Sequence, residues 1–377
     1  MKIIYSILGF LFVVVLVMRI SSTPQSCLVS EAGDSESFAN ASAINDKYLA
    51  VGDPEANRVV IYTRDAKGKW LRSREILPPK GSEAEAIGFG FGYDVALDGS
   101  TLVIGVYGSK YKPNNPEDIT YKDSDGVWLN AFEVYKTTLD NVAEIKRIDI
   151  DSEEEIPSGL VLADNGKIVY STLSLQKDVK SKVYLYEDGN IKNTFVSPTD
   201  TKHLVGRTAS ASSIALKNDF LIVDSPGEEP RGAAWLFSLK APSAKPRKLT
   251  IPNQGSREAV AISEHFAAVG VRNPFFFSSN ETLVVSMEDG STNLVEGVGK
   301  LSSDGNILAM MLPYVSRGGY TQESLLRVYD LTNINAPRLI AKQGGINNAY
   351  VQNNFLTTIK KNYSEAKTKI CIEQITK

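Results

Sequence analysis

The sequence predicts an all-β fold, a seven-bladed β-propeller of four-stranded antiparallel blades, on three observations. The first is a repeated unit made of an apolar strand, a short polar turn and a second apolar strand, clearest in the stretch FGFGYDVALDGSTLVIGVY at residues 89–107. The second is that a third apolar strand follows each copy, and in most copies a fourth. The third is composition, since 16 Tyr and 14 Phe with few periodic charged runs favour strands. Repeats of this length are typical of propeller blades.

The repeat can be followed through the chain after the N-terminal segment. Its turn carries Asn, Asp or Gly at nearly every corner, as tight turns require. The seven turns with their second strands occupy residues 45–54, 98–107, 164–173, 217–226, 263–272, 303–313 and 352–361. The blades are predicted to start near residues 37, 89, 157, 209, 257, 297 and 344. Because each repeat carries its own slice of core, residues 23–377 are expected to form one domain.

The seventh unit ends after its third strand, TKICIEQI from Thr368. Its missing outer strand has a natural source in residues 25–30, QSCLVS, which precede the first unit. Unpaired sheet edges invite aggregation, so a ring closed by its N-terminal strand is the favoured arrangement. The sequence therefore predicts that the last blade contains strands from both ends of the chain.

The best copy resembles a known family of propeller repeats. Phe89-Gly90, Val95-Ala96, the Asp98-Gly99 turn and the following strand with Gly105 match the pattern of the FG-GAP repeat family, which also builds integrin-alpha-like heads. The resemblance implies a propeller on the cell surface or outside the cell that binds a ligand. Many family members carry an Asp-x-Asp-x-Asp-Gly calcium loop between the first two strands. Here those turns are too short, which argues against calcium in them.

Residues 1–22 have the form of an export signal. An apolar run from Ile3 to Met18 follows Lys2, and a small polar stretch follows Arg19. The run is shorter than a comfortable membrane span, which favours a cleaved signal peptide over a signal anchor. The protein is therefore expected to be secreted or at the cell surface, and to touch the membrane only if this segment is not cleaved.

The chain has two cysteines, Cys27 and Cys371. Exported proteins meet conditions in which disulfides persist, so we expect the pair to form a bond. In a closed ring Cys27 would lie on the outer strand and Cys371 on the neighbouring third strand of one blade. Two unrelated buried thiols are the alternative.

Surface chemistry limits the partners. The formal net charge of −3 provides no broad basic field, so nucleic acid is not an expected partner. No cofactor is expected, and the chain is expected to be a monomer. In a eukaryotic source three triplets would accept N-linked glycans, at Asn40, Asn280 and Asn362.

The expected contact surface is the face formed by blade connections and second-to-third-strand loops, where all the long loops fall. Loops vary without unfolding a scaffold, and so they often carry function. Aromatic and basic side chains in these loops suit a protein or glycan ligand. The candidate binding residues are Tyr107, Lys110, Tyr111, Lys112, Tyr121, Phe275, Phe276, Phe277, Tyr314, Arg317 and Tyr320. Neutral insertions and aromatic residues tucked over the channel are the alternatives.

Signals for metal binding and catalysis are sparse. Asp123 and Asp125 form half of a calcium loop, and a solvated turn is the favoured explanation for them. The two histidines, His203 and His265, are predicted on opposite faces, so they cannot chelate one zinc ion. No catalytic residue is assigned.

These observations predict an exported, non-catalytic binding or adhesion module that uses the long-loop face. The alternative is a secreted propeller hydrolase or lyase acting on carbohydrate or lactone, with two or three acids and His203 converging at the channel mouth. A purely structural scaffold is a third possibility.

Overall fold

The computed structural model has seven four-stranded antiparallel sheets, so the predicted seven-bladed propeller is confirmed. Every described sheet places strands in chain order except the last, which combines one strand from the N-terminal end of the chain with three from the C-terminal end. The structure describes residues 26–112, 127–140, 144–148, 155–174, 182–196, 214–225, 233–249, 257–271, 281–297, 299–312, 316–317, 320–321, 324–362, 365 and 367–375.

The first three blades follow the N-terminal strand β1 (Ser26–Val29). Blade 1 contains β2 (Ser42–Ile44), β3 (Tyr48–Asp53), β4 (Arg58–Arg64) and β5 (Trp70–Ile76). A short helix, α1 (Glu83–Ile87), leads to blade 2, with β6 (Phe91–Asp98), β7 (Thr101–Lys112), β8 (Val127–Thr138) and β9 (Lys146–Arg147). Blade 3 contains β10 (Glu155–Asp164), β11 (Lys167–Ser174), β12 (Lys182–Glu187) and β13 (Asn190–Val196).

The remaining four blades repeat this order. Blade 4 contains β14 (Ile214–Lys217), β15 (Phe220–Ser225), β16 (Ala233–Ser238) and β17 (Arg247–Leu249). Blade 5 contains β18 (Arg257–Ile262), β19 (Phe266–Val271), β20 (Glu281–Ser286) and β21 (Thr292–Glu296). Blade 6 contains β22 (Lys300–Asp304), β23 (Ile307–Leu312), β26 (Leu325–Asp330) and β27 (Arg338–Gly344), with a small hairpin of β24 (Ser316–Arg317) and β25 (Tyr320–Thr321) between its second and third strands. Blade 7 contains β28 (Asn348–Gln352), β29 (Phe355–Asn362), β30 (Lys367–Gln374) and β1.

Burial explains the sequence pattern of a blade. Second strands such as β3 are buried along their whole length, whereas the outer strand β5 alternates between buried and exposed positions. The apolar side chains form clusters between adjacent blades; one of them joins Ala50 and Ile61 of blade 1 to Phe91 and Leu102 of blade 2. Each blade is therefore stabilised by its neighbours.

The ring is closed as the sequence predicts. β1 pairs antiparallel with β30, and Cys27 lies directly opposite Cys371. The two cysteines form a disulfide with their Cα atoms 4.1 Å apart. Cys27 is on the outer strand and Cys371 on the third strand of blade 7, which confirms the predicted pairing.

Ion pairs hold the segment that runs from β1 to blade 1. The carboxylates of Asp34 and Asp53 are fully buried. Arg58 donates to Asp34 at 2.8 Å and to Asp53 at 3.1 Å, while Arg72 donates to Asp34 at 3.1 Å. Because buried charges are costly unless paired, loss of one partner would destabilise the seam between the first and last blades.

Gly52 and Gly92 show why the repeat needs glycine. A Cβ atom on Gly52 would lie 2.0 Å from the carbonyl oxygen of Gly92 in the next blade. Gly92 itself has a φ of +84°. The backbones of blades 1 and 2 thus approach at a distance that no other residue allows.

Gly52→Ala is expected to lower the free energy of unfolding by about 1–3 kcal/mol, because the added methyl group has to push two backbones apart. Gly33→Ala is the comparator, since Gly33 has a φ of +94° and open space around its Cβ position. It adds backbone strain without a clash. Thermal unfolding that showed Gly52→Ala to be no less stable than Gly33→Ala would contradict the close-contact explanation.

Candidate functional site

The first strands of the blades surround a cavity of about 620 Å³ along the propeller axis. Its wall includes Asp94, Lys217, Lys300, Asn348 and Tyr350, which come from blades 2, 4, 6 and 7. A volume of this size is within the range of pockets that hold small molecules.

Three polar residues in the wall, Asp94, Lys300 and Asn348, occupy equivalent positions in blades 2, 6 and 7. Asp98, Asp304 and Gln352 are the last residues of β6, β22 and β28. Asp94, Lys300 and Asn348 each precede these residues by four positions, which is roughly 13 Å of strand. They therefore lie at one level of the channel, toward the face that carries the blade connections.

Asp94 is the acid of this level. It is 6% exposed. One carboxylate oxygen accepts the N–H of Val95 and the other that of Val161 in blade 3, both at 3.0 Å. Burial raises the pKa of the carboxyl to about 7, although these two donors and Lys300 favour the charged form. Asp94 can therefore gain or lose a proton near neutral pH.

Lys300 and Asp94 influence each other's charge across the channel. Lys300 is exposed at the start of β22 and lines the cavity, where nearby protein atoms partly desolvate its side chain. This desolvation lowers the pKa of Lys300, and the negative charge of Asp94 opposes the effect. The pair places a cation and a group that titrates near neutrality in the wall of one cavity.

Tyr350 supplies a hydroxyl group to the same cavity. Asn348 donates its side-chain N–H to the phenol oxygen, and the hydroxyl lies 3.5 Å from the carbonyl oxygen of Asn40. Burial raises the pKa of Tyr350 well above its usual range, and the charge of Asp94 adds to this. The phenol consequently stays protonated and can donate a hydrogen bond.

The other end of the channel, at the turns between first and second strands, is held by contacts between neighbouring blades. Asn45 donates to Gly99 O at 2.7 Å, Asp98 accepts from Gly166 N at 2.5 Å, and Asp304 accepts from Asn354 N at 2.7 Å. Asp164 likewise accepts from Asn218 N. These acids were predicted only as turn residues, and the structure shows that they also join the blades.

The predicted binding residues are described only in part. Tyr107 is half-buried and packs against Tyr93, next to Asp94 in sequence, with ring centroids 5.1 Å apart. Lys110, Tyr111 and Lys112 are not in a loop as predicted, because β7 continues to Lys112 and pairs with β8. Arg317 and Tyr320 are backbone partners in the small hairpin of blade 6. Tyr121, Phe275, Phe276, Phe277 and Tyr314 lie outside the described residues.

The other predicted sites are placed as follows. Asn40 is exposed, but its side-chain N–H donates to Tyr93 O at 2.9 Å, while Asn362 is exposed at the end of β29. His265 lies in the turn before β19. Asn280, Asp123, Asp125 and His203 lie outside the described residues, as do residues 1–22. Within the described ranges, no cluster of His, Cys, Asp and Glu could hold a metal ion, and no helix is long and apolar enough to cross a membrane.

Sequence reasoning missed Asp94, Lys300 and Tyr350. The catalytic alternative predicted two or three acids with His203 at the channel mouth. Among the described residues of this level, Asp94 is instead accompanied by Lys300 and Asn348, and Tyr350 lies two residues further along β28. A sequence signal was available, namely a polar residue at a position that is apolar in other blades. Blades 2, 6 and 7 carry polar residues there, whereas the equivalent residues of blades 1 and 5 are Ala41 and Ala259. Only alignment of all the inner strands would have revealed it.

No family model matches the chain, and no curated protein matches it. Several solved structures match the chain in fold. The β-propeller domain of the trilobed protease from Pyrococcus furiosus, described as having an open velcro topology, is 12% identical with a TM-score of 0.54, covering 93% of this chain and 96% of that one. A structure from a study of two prolyl endopeptidases is 12% identical with a TM-score of 0.49, and the match covers 89% of this chain but 47% of that one. The structure of YjhT is 12% identical with a TM-score of 0.43, covering 81% and 97%.

These comparisons correct the functional prediction. The propeller that matches with a TM-score of 0.54 is a domain of a protease, and this finding overturns the predicted non-catalytic binding or adhesion module. At 12% identity the likeness itself establishes the propeller fold. The chemistry has to be argued from the axial cavity.

Proposed function

We propose that this protein is an exported propeller hydrolase whose reaction takes place in the axial cavity, with a lactone as the substrate class. The observation that carries the proposal is Asp94, a buried carboxyl with a pKa of about 7 that lines the axial cavity together with Lys300. Groups with strongly shifted pKa values in a cleft are candidates for acid–base work.

The three residues have complementary roles in opening a cyclic ester. The Asp94 carboxylate accepts a proton from a water molecule, and the oxygen of that water attacks the carbonyl carbon. The Lys300 ammonium stabilises the negative charge that develops on the carbonyl oxygen. Tyr350 donates a hydrogen bond to the ring oxygen, and the proton held by Asp94 passes to that oxygen as its bond to carbon breaks, which returns Asp94 to its carboxylate form. The products are a carboxylic acid and an alcohol.

The composition of the cavity favours lactone over glycoside as the substrate. Glycosidases of the common type need two carboxyl groups flanking the bond. Among the described residues at the level of Asp94, the equivalent positions in blades 6 and 7 hold Lys300 and Asn348. One acid beside a cation suits addition of water to a carbonyl group.

The N-terminal segment and the repeat pattern supply the remaining parts of the proposal. An export signal in residues 1–22 and a seam disulfide are consistent with a secreted or surface-bound enzyme. We also propose that the blades are divergent FG-GAP repeats, on the strength of residues 89–107 and the Gly52–Gly92 contact.

A hydrolysis assay on a panel of sugar lactones and aryl esters tests the function directly. Lys300→Met and Tyr350→Phe are each expected to lower kcat by about 10²-fold or more, because each removes a group that stabilises charge developing on an oxygen atom of the substrate. Lys192→Met is the matched control, since Lys192 is a partly exposed residue of the outer strand β13. Absence of turnover on the whole panel, or variants as active as the control, would reject the proposal.

A further inference from the structure

Lys217 lies at the turn end of the axial cavity, among carboxylates from three other blades. It is the last residue of β14, and its side chain is 20% exposed. Its Nζ lies 3.0 Å from Glu264, 3.6 Å from Asp304 and 3.8 Å from Asp164. These carboxylates belong to blades 5, 6 and 3, so the ammonium group reaches inward across the ring.

The three carboxylates are themselves held in place. Asp164 accepts from Asn218 N, Asp304 accepts from Asn354 N, and Glu264 accepts from the backbone of Gly305. Although burial lowers the pKa of Lys217, the hydrogen bond to Glu264 and the surrounding acids outweigh this and raise it. The ammonium is consequently charged, and backbone hydrogen bonds hold its three carboxylate partners in place.

From this geometry we infer that Lys217 limits the length of ligand that the axial cavity accepts, by closing its turn end on the side of blades 3 to 6. Lys217 and Asp94 both line this cavity of about 620 Å³, with Lys217 at its turn end. That volume suits a small ring such as a single sugar lactone, and a polymer cannot pass through the ring on this side. The inference rests on the proposed function for its substrate class, while the closure itself does not.

Chemical labelling measures the closure without any need for activity. Ala215 lies two residues before Lys217 on the same strand and lines the cavity. An Ala215→Cys variant would report access to this position, because Cys27 and Cys371 are bonded to each other and give no background. The probes are two uncharged maleimides, one small and one carrying a long ethylene glycol chain.

We expect Lys217→Ala to speed labelling by the long maleimide about tenfold, which corresponds to removal of about 1.4 kcal/mol of barrier. Lys217→Arg should leave labelling slow, since it retains both reach and charge. Ser243→Cys, in an exposed turn of blade 4, is the control for reagent reactivity and should label equally in all three backgrounds.

Equal labelling of Ala215→Cys with Lys217 and with Lys217→Ala would overturn the inference, whatever the outcome of the lactone assay. If Lys217→Ala fails to fold, Lys217→Gln replaces it, because this variant loses the charge that anchors the side chain, and it should also label faster. Faster labelling in a protein without lactonase activity would retain the closure and reject only the proposed function.

Discussion

Asp94→Asn is expected to lower kcat by about 10²–10⁴-fold while the propeller remains folded, because the amide cannot accept a proton from water. The wild-type rate should rise as pH increases through about 7, where Asp94 loses its proton. It should fall again at higher pH as Lys300, whose pKa is lowered by burial, becomes neutral. In the variant the lower limb of this bell-shaped profile should be absent.

Asp98→Asn is the matched control for this prediction. Asp98 is on the same strand as Asp94 and also accepts a backbone N–H from blade 3, but it lies at the turn end of the channel. The two variants therefore weaken similar contacts between the same blades. Equal activities of Asp94→Asn and Asp98→Asn, or a lower limb that persists in Asp94→Asn, would show that Asp94 has only a structural role.

Protein stability should respond to the same proton. The folded-state pKa of Asp94, about 7, lies above the value near 3.9 expected in the unfolded chain. The folded protein thus binds the proton more tightly, and the contribution of Asp94 to stability falls as pH rises from about 4 to about 7. Asp94→Asn should gain stability relative to wild type across that window, as measured by denaturant midpoints.

The fold could be predicted from the sequence because each blade repeats local signals. Turns with Asn, Asp and Gly lie between alternating apolar strands, and these patterns depend on near neighbours along the chain. Cys27 and Cys371 could be paired because closure of a ring brings the two ends together. The extension of β7 to Lys112 was missed, since the basic and aromatic residues there suggested a loop.

The candidate site could not be predicted in the same way. Asp94 lies inside the best copy of the repeat, where the alternation of apolar and polar residues is already explained by a β-strand and points to no site. Its partners Lys300 and Tyr350 come from blades 6 and 7 and meet it only across the channel. The pKa of Asp94 also depends on its burial and on the N–H of Val161 in blade 3, which no local pattern records.

Replacement of both cysteines, as Cys27→Ser with Cys371→Ser, is expected to lower the free energy of unfolding by roughly 3–5 kcal/mol on the chain-entropy model. The bond joins residues separated by 344 positions, so its loss frees the ends of nearly the whole described chain in the unfolded state. The folded ring should persist, because Arg58 and Arg72 still hold the segment after β1 through Asp34. Denaturant unfolding with and without a reducing agent measures the effect.

The reducing agent provides the control within one experiment. It should lower the midpoint of the wild-type protein to that of the double variant and leave the double variant unchanged, because no other cysteine is present. Adding Arg58→Met to the double variant should then open the seam, since Asp34 and Asp53 lose a buried partner. A wild-type midpoint that is insensitive to reduction would mean that the ion pairs alone close the propeller and that the disulfide contributes little to its stability.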